Sequence, residues 1–116
     1  MITGVHASVF SPEAGEVRAF FRDVLGLPSV DGGAGWLIFA LPPAELAVHP
    51  AADSGRQELY LMCDDIHATL AELRGKGIEV ARDVTDQGWG LLAAIRLPDG
   101  SEFPIYEPRH PSPLPP

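Results

Sequence analysis

His6 and Glu58 stand at matching places in two similar segments, GVHASVF (4–10) and QELYLMC (57–63). An imidazole and a carboxylate so placed can pair by a hydrogen bond across the axis relating the segments. On a strand, residues two apart share a face. Ser8 and Phe10 therefore join His6, and Tyr60 and Met62 join Glu58. Near the ends of the two halves, Glu45, Ala47 and His49 point one way, as do Glu102, Pro104 and Tyr106. Aromatic and apolar walls carrying a few polar groups are what a small organic ligand needs. Trp36 or Trp89 can stand at the mouth of such a pocket. The plainer reading is that these side chains fill the core of a small sheet protein.

Nucleophilic catalysis finds no support: there is no G-x-S-x-G elbow, no Walker loop and no cysteine pair. The single cysteine, Cys63, reads as a small hydrophobe in a strand. Asp64-Asp65 reads as a helix-capping pair, since acidic charge is favoured at a helix N-terminus. Asp86, in the loop TDQGWG, is a candidate rim acid, and that loop has no equally long counterpart in the first half. His67 and His110 are expected to face solvent.

The elements that must position these groups follow from periodicity. Val5, Ala7 and Val9 alternate with His6, Ser8 and Phe10, a strand pattern. Ser11-Pro12-Glu13 reads as a helix start with Ser11 as N-cap. Val17, Phe20, Phe21, Val24 and Leu25 form one apolar helix face, which Gly26 ends. A glycine-rich turn at 31–35 leads to strands at 36–41 and 45–49. The second half repeats the order. A strand at 58–62 precedes a cap at Asp64 or Asp65 and a helix with Ile66, Leu70 and Leu73 inward and Gly77 as its stop. Strands near 78–81, 91–97 and 102–107 follow, with Pro98-Asp99-Gly100 as a hairpin turn. The Gly-Trp pairs Gly35-Trp36 and Gly88-Trp89 also match. These are two tandem β-α-β-β-β modules, about 1–52 and 56–109, in one α+β domain spanning 1–109. Residues 110–116 are a Pro-rich flexible tail.

Composition agrees. The 116 residues suffice for one core, and 46% are hydrophobic. No apolar run approaches the roughly 20 residues of a membrane span. The N-terminus has no export signal and the lone cysteine favours a reducing compartment, so a cytoplasmic protein is expected. A net charge of −8 argues against nucleic acid or an anionic membrane as partner and permits a cationic small ligand.

His6 in the first strand, the helix ending FFRDVLGLP, the LYLMCDDI junction and the closing LPDGSEFPIYEP together resemble the vicinal oxygen chelate superfamily. That superfamily includes glyoxalase I, bleomycin-resistance proteins, fosfomycin-resistance enzymes and extradiol dioxygenases. The resemblance covers Thr3 to about Arg109. It implies sheets curled into a half-open barrel around a cavity, and a homodimer whose pocket the sheet faces line. Similar metalloenzymes place one ligand on the first strand of each module and a carboxylate on each closing strand, a set suited to octahedral divalent ions. Here the first-strand places hold His6 and Glu58, and the closing-strand places hold Ala47 and Pro104, which cannot ligate. The expected function is small-molecule binding in the manner of the bleomycin-resistance branch, with no cofactor. His6, Ser8, Phe10, His49, Glu58, Tyr60, Met62 and Tyr106 would contact the ligand. The alternative is a metal-dependent lyase or dioxygenase in which His6, His49 and Glu58 hold a divalent metal, with an open position for substrate.

Overall fold

The computed structural model describes residues 9, 11–44, 52 and 58–111. The expected strands at 4–10 and 45–49 lie outside that set, apart from Val9. With them lie His6, Ser8, Phe10, Ala47 and His49.

The second module has the expected β-α-β-β-β order. Strand β3 is Leu61–Met62, helix α2 is Ile66–Gly75, and strands β4, β5 and β6 are Val80–Asp86, Gly90–Arg96 and Glu102–Pro108. They form a four-stranded sheet in the order β3-β6-β5-β4. β3 runs parallel to β6, with Met62 level with Tyr106, and the other pairs are antiparallel. The α2 crossover makes the one parallel pairing possible, since parallel neighbours cannot be joined by a tight turn.

Local chemistry fixes α2 at both ends. The Asp65 carboxylate accepts from Ala68 N at 3.0 Å, and Thr69 Oγ1 donates to Asp65 O at 2.7 Å. The Glu107 carboxylate, reaching across from β6, accepts from Ile66 N at 3.1 Å. Two orphan amides of the first turn are thus satisfied. At the other end Gly77 adopts φ +84°, and its N–H donates to Arg74 O at 3.0 Å, a left-handed stop that a side chain would strain. One face of the helix buries Ile66, Leu70 and Leu73 against Ala93, Ile95, Phe103 and Ile105 of the sheet. Ile66 and Ile95 are fully buried, each stabilising the fold by roughly 1.5–3 kcal/mol.

The first module is built differently in its described part. Helix α1 covers only Ala14–Ala19 and passes into a π-helical turn, Phe20–Val24, where Leu25 N donates to Phe20 O at 3.2 Å. Gly26 follows with φ +68°, at the expected stop. Ser11 is not the N-cap. Its hydroxyl accepts from Glu13 N and donates to Asp99 Oδ2 at 2.6 Å, tying the start of this segment to the β5–β6 turn. A short hairpin follows: β1, Ser29–Asp31, pairs with β2, Leu37–Phe39. Only β2 falls where a strand is expected. β1 has no periodic signal in the sequence.

The apolar face of this segment packs on the second module. Phe20 is buried in the same core as Ile66 and Ile95, with Phe21, Val24 and Leu25 against it. Phe21 meets Phe39 at 5.7 Å and Phe103 at 5.9 Å between ring centres. The modules therefore share one core. Among the described residues no helix is long and apolar enough to cross a membrane.

Candidate ligand-binding face

β6 shows how the sheet divides its residues. Phe103 and Ile105 enter the core beneath α2, and Glu107 on the same side caps that helix. Glu102, Pro104 and Tyr106 alternate with them and so occupy the opposite face. The same alternation puts Gly90, Leu92 and Ala94 of β5 beside them, paired with Pro108, Tyr106 and Pro104.

Tyr106 is the centre of an aromatic group on this face. Its ring lies 5.8 Å from that of Tyr60 and 5.3 Å from that of Trp89, with Tyr60 and Trp89 6.3 Å apart. The interplanar angles are 82°, 74° and 80°, so the three rings are close to mutually perpendicular. Tyr106 is buried, whereas Tyr60 and Trp89 are each 40% exposed. The Tyr60 hydroxyl donates to Glu58 Oε2 at 2.5 Å. Met62, level with Tyr106 on β3, is also exposed. Four of the expected ligand residues, Glu58, Tyr60, Met62 and Tyr106, are thus neighbours on one face. The strand carrying them is shorter than expected, since 58–60 precede β3 without regular pairing.

Two features make room for the group. At Gly90 a Cβ would meet Glu107 O at 2.8 Å and Tyr106 Cδ2 at 2.9 Å, so only glycine lets the Tyr106 ring lie across β5. The Trp89 loop is held by its own turn and by the end of β6. Asp86 Oδ1 accepts from Gly88 N at 2.8 Å, Gln87 N donates to Gly90 O at 2.9 Å, and Arg109 N donates to Trp89 O at 2.8 Å. Asp86 therefore shapes the turn, and its carboxylate is engaged there.

Arg109 thus continues the backbone pairing past β6. His110, expected in solvent, is half-buried, its Nε2 3.1 Å from the Tyr106 hydroxyl and its ring 5.9 Å from that of Tyr106. Sequence reasoning missed both, because a proline-rich stretch signals the end of regular pairing. His67 is exposed on α2, as expected. It borders a shallow open cleft of about 270 Å³ with Leu70, Arg74, Asp83 and Val84, on the helix side of the sheet and away from the aromatic group.

The usual metal arrangement is not matched in the described half. Glu58 retains a donor, but Pro104 places a ring without lone pairs at the closing-strand position. Among the described residues, no three His, Cys, Asp or Glu side chains are grouped to hold an ion. Cys63 is half-buried with Sγ 3.5 Å from Tyr106 O, and burial pushes its thiol pKa up, so it behaves as packing.

A model of the Glyoxalase/Bleomycin resistance protein/Dioxygenase superfamily matches residues 4–105. Among solved structures, the chain is similar to TnmS3, an antibiotic binding protein from Streptomyces sp. CB03234, at 23% identity and TM-score 0.69, covering 93% of this chain and 97% of that one. It is similar to lactoylglutathione lyase from Agrobacterium tumefaciens at 17% identity and TM-score 0.65, covering 90% and 92%. A superfamily member from Sphaerobacter thermophilus aligns at 20% identity and TM-score 0.63, covering 91% and 98%. A comparison with curated proteins gave no significant match. At these identities the structural likeness establishes a shared α+β fold.

Proposed function

This chain belongs to the glyoxalase/bleomycin resistance protein/dioxygenase superfamily, and we propose that it holds a small organic molecule against the helix-free face of its sheet, without the four-ligand metal site. The carrying observation is Pro104. It sits in the middle of β6, between Glu102 and Tyr106, at the place where the superfamily's metalloenzymes carry a carboxylate. The site then relies on surfaces that need no ion: the Tyr60, Trp89 and Tyr106 rings supply apolar contact, and Glu58 and the tyrosine hydroxyls supply direction. Similarity to an antibiotic binding protein is consistent with this reading. His6, Ser8, Phe10 and His49 complete the pocket in this proposal. In this proposal the protein acts as a homodimer. Light scattering on the purified protein checks the dimer, and a monomer mass rejects it.

Elemental analysis of the purified protein, before and after His6→Ala, tests the metal-free reading. The expected result is substoichiometric metal in both. Stoichiometric zinc, manganese, nickel or iron that disappears with His6→Ala would overturn the metal-free reading and favour the alternative in which His6, His49 and Glu58 hold the ion. Binding itself is read with the neutral dye Nile red. Its emission should rise with wild-type protein and fall back with Tyr60→Ala; no rise with folded wild-type protein counts against a pocket on this face.

A further inference from the structure

Three aspartates sit in the same kind of turn and differ in what surrounds their carboxyl groups. Asp31 Oδ1 accepts from Gly33 N at 2.7 Å, Asp86 Oδ1 from Gly88 N at 2.8 Å, and Asp99 Oδ1 from Ser101 N at 3.0 Å. In each turn the amide next to the aspartate is bonded as well: Gly32 N donates to Trp36 O at 2.7 Å, Gln87 N to Gly90 O at 2.9 Å, and Gly100 N to Leu97 O at 2.9 Å. We infer that the Asp31–Gly32 step, and neither of the other two, is a modification site at which the chain rearranges aspartate to isoaspartate.

The rearrangement joins the aspartyl carboxyl to the amide nitrogen that follows it. That nitrogen, on losing its proton, attacks Cγ; a C–N bond forms, the C–OH bond of the protonated carboxyl breaks, and hydroxyl and proton leave as water. Solvent water then opens the five-membered imide at either carbonyl. One opening returns aspartate, and the other leaves the main chain running through the former side chain. Nothing is oxidised or reduced. The step needs a next residue without a side chain, a carboxyl that is not clasped as its anion, and an amide that can leave its own hydrogen bond.

Of the three, Asp31 alone meets all these needs. The chain has no asparagine, and glycine follows aspartate only at 31 and 99. At 86 the Gln87 side chain crowds the nitrogen. Asp99 has its glycine, but the Ser11 and Ser101 hydroxyls donate to its carboxylate at 2.6 and 2.5 Å and hold it ionised. Among the described residues the Asp31 carboxyl takes one donor, Gly33 N, and it is exposed. The Gly32 bond to Trp36 closes a hairpin of three-residue strands, whereas Gly100 lies between the seven-residue strands β5 and β6. The shorter hairpin opens more readily. Isoaspartate there lengthens the backbone where Asp31 pairs with Leu37, two residues from Phe39 and its contact with Phe21.

The test keeps the full-length protein in mildly acidic buffer at body temperature for several weeks and then measures isoaspartate position by position, by digestion and electron-transfer mass spectrometry. The amount at 31 should exceed that at 99 by about tenfold or more, since each unit by which a carboxyl pKa is lowered removes its protonated form tenfold. Position 86 should stay at background. Asp31→Glu should remove the signal, and Ser11→Ala should raise the rate at 99 several-fold and leave 31 unchanged. In guanidinium the rates at 31 and 99 should converge, because both are Asp-Gly steps once the fold is gone. Equal rates in the folded protein, or no isoaspartate at 31, overturn the inference. A gap of the same size that persists in guanidinium overturns it too, since sequence and not the fold would then set it.

Discussion

The two modules carry the same hydrophobic pattern, and their described parts are built differently. In the second, α2 runs for ten residues between an aspartate cap and a left-handed glycine, over a complete four-stranded sheet. In the first, the helix makes six residues before it widens into a π turn, and the hairpin after it has three-residue strands. The apolar residues account for part of this, since Phe20, Phe21 and Val24 are weaker helix formers than Leu70 and Leu73. The ends add to it. Asp65 spends its carboxylate on its own helix, whereas Ser11 spends its hydroxyl on Asp99, 88 residues away. A helix without a side-chain cap depends on tertiary packing for its geometry. Here that packing inserts Phe20 into the second module's core.

The largest test of this dependence is Phe20→Ala. It should cost about 3–5 kcal/mol, because a buried aromatic is removed from a shared core. Urea unfolding followed by circular dichroism and by tryptophan emission should give one coincident transition. Two separate transitions, or a loss below about 1 kcal/mol, would mean that the modules stand independently.

Next comes the open face of the second module. Gly90→Ala should cost roughly 1–3 kcal/mol, since the new methyl must displace both the Tyr106 ring and the β6 backbone at Glu107. A shifted near-ultraviolet aromatic signal should accompany the loss. An unchanged melting temperature would show that the Tyr106 ring is not seated as described.

The caps give a smaller contrast. Asp65→Ala should cost about 1 kcal/mol and reduce helical ellipticity on warming, whereas Ser11→Ala should leave the ellipticity unchanged and cost about 1 kcal/mol for a part-buried hydrogen bond to Asp99 and an exposed one from Glu13 N. A larger effect at Ser11 than at Asp65 would reverse the comparison between the two helix starts.

The smallest effect is electrostatic. Hydrogen bonds from the Ser101 and Ser11 hydroxyls, and from the Ser101 amide, pull the Asp99 carboxyl down to about 2 from 3.8. A group with a lowered folded-state value stabilises the fold above its unfolded value and loses that contribution as pH falls through the folded one. The Ser11–Asp99 link should therefore hold at pH 4 and fail as pH approaches about 2. The carboxyl carbon shift of Asp99 in an NMR titration reads this directly. Ser11→Ala should move the midpoint up toward 3.8.

What could be foreseen from the sequence follows the same division. The second module was legible because its signals are local: a period of two in its strands, Asp65 before the apolar helix face, and Pro-Asp-Gly at the β5–β6 turn. Strand alternation set Glu58 with Tyr60 and Met62, and Tyr106 with Pro104, while their meeting on one face was expected from the resemblance. The departures arise where a distant partner decides. Ser11 resembles an N-cap until Asp99 takes its hydroxyl. Ser29–Asp31 has too little pattern to announce a strand. β4 runs to Asp86 through the polar residues Arg82, Asp83 and Thr85, which sequence reading ends at Ala81. Arg109 and His110 adjoin prolines that mark a tail, yet β5 and Tyr106 engage them. Trp89 could be placed near the mouth, but its perpendicular contacts with Tyr60 and Tyr106 depend on the absent side chain at position 90.

That last dependence reaches beyond a single molecule. A side chain at 90 would meet the Glu107 carbonyl of the β6 backbone as well as the Tyr106 ring, so a smaller residue at 106 would not by itself make room for it. In any lineage of this protein that keeps the β5–β6 pairing, position 90 should stay glycine whatever stands at 106.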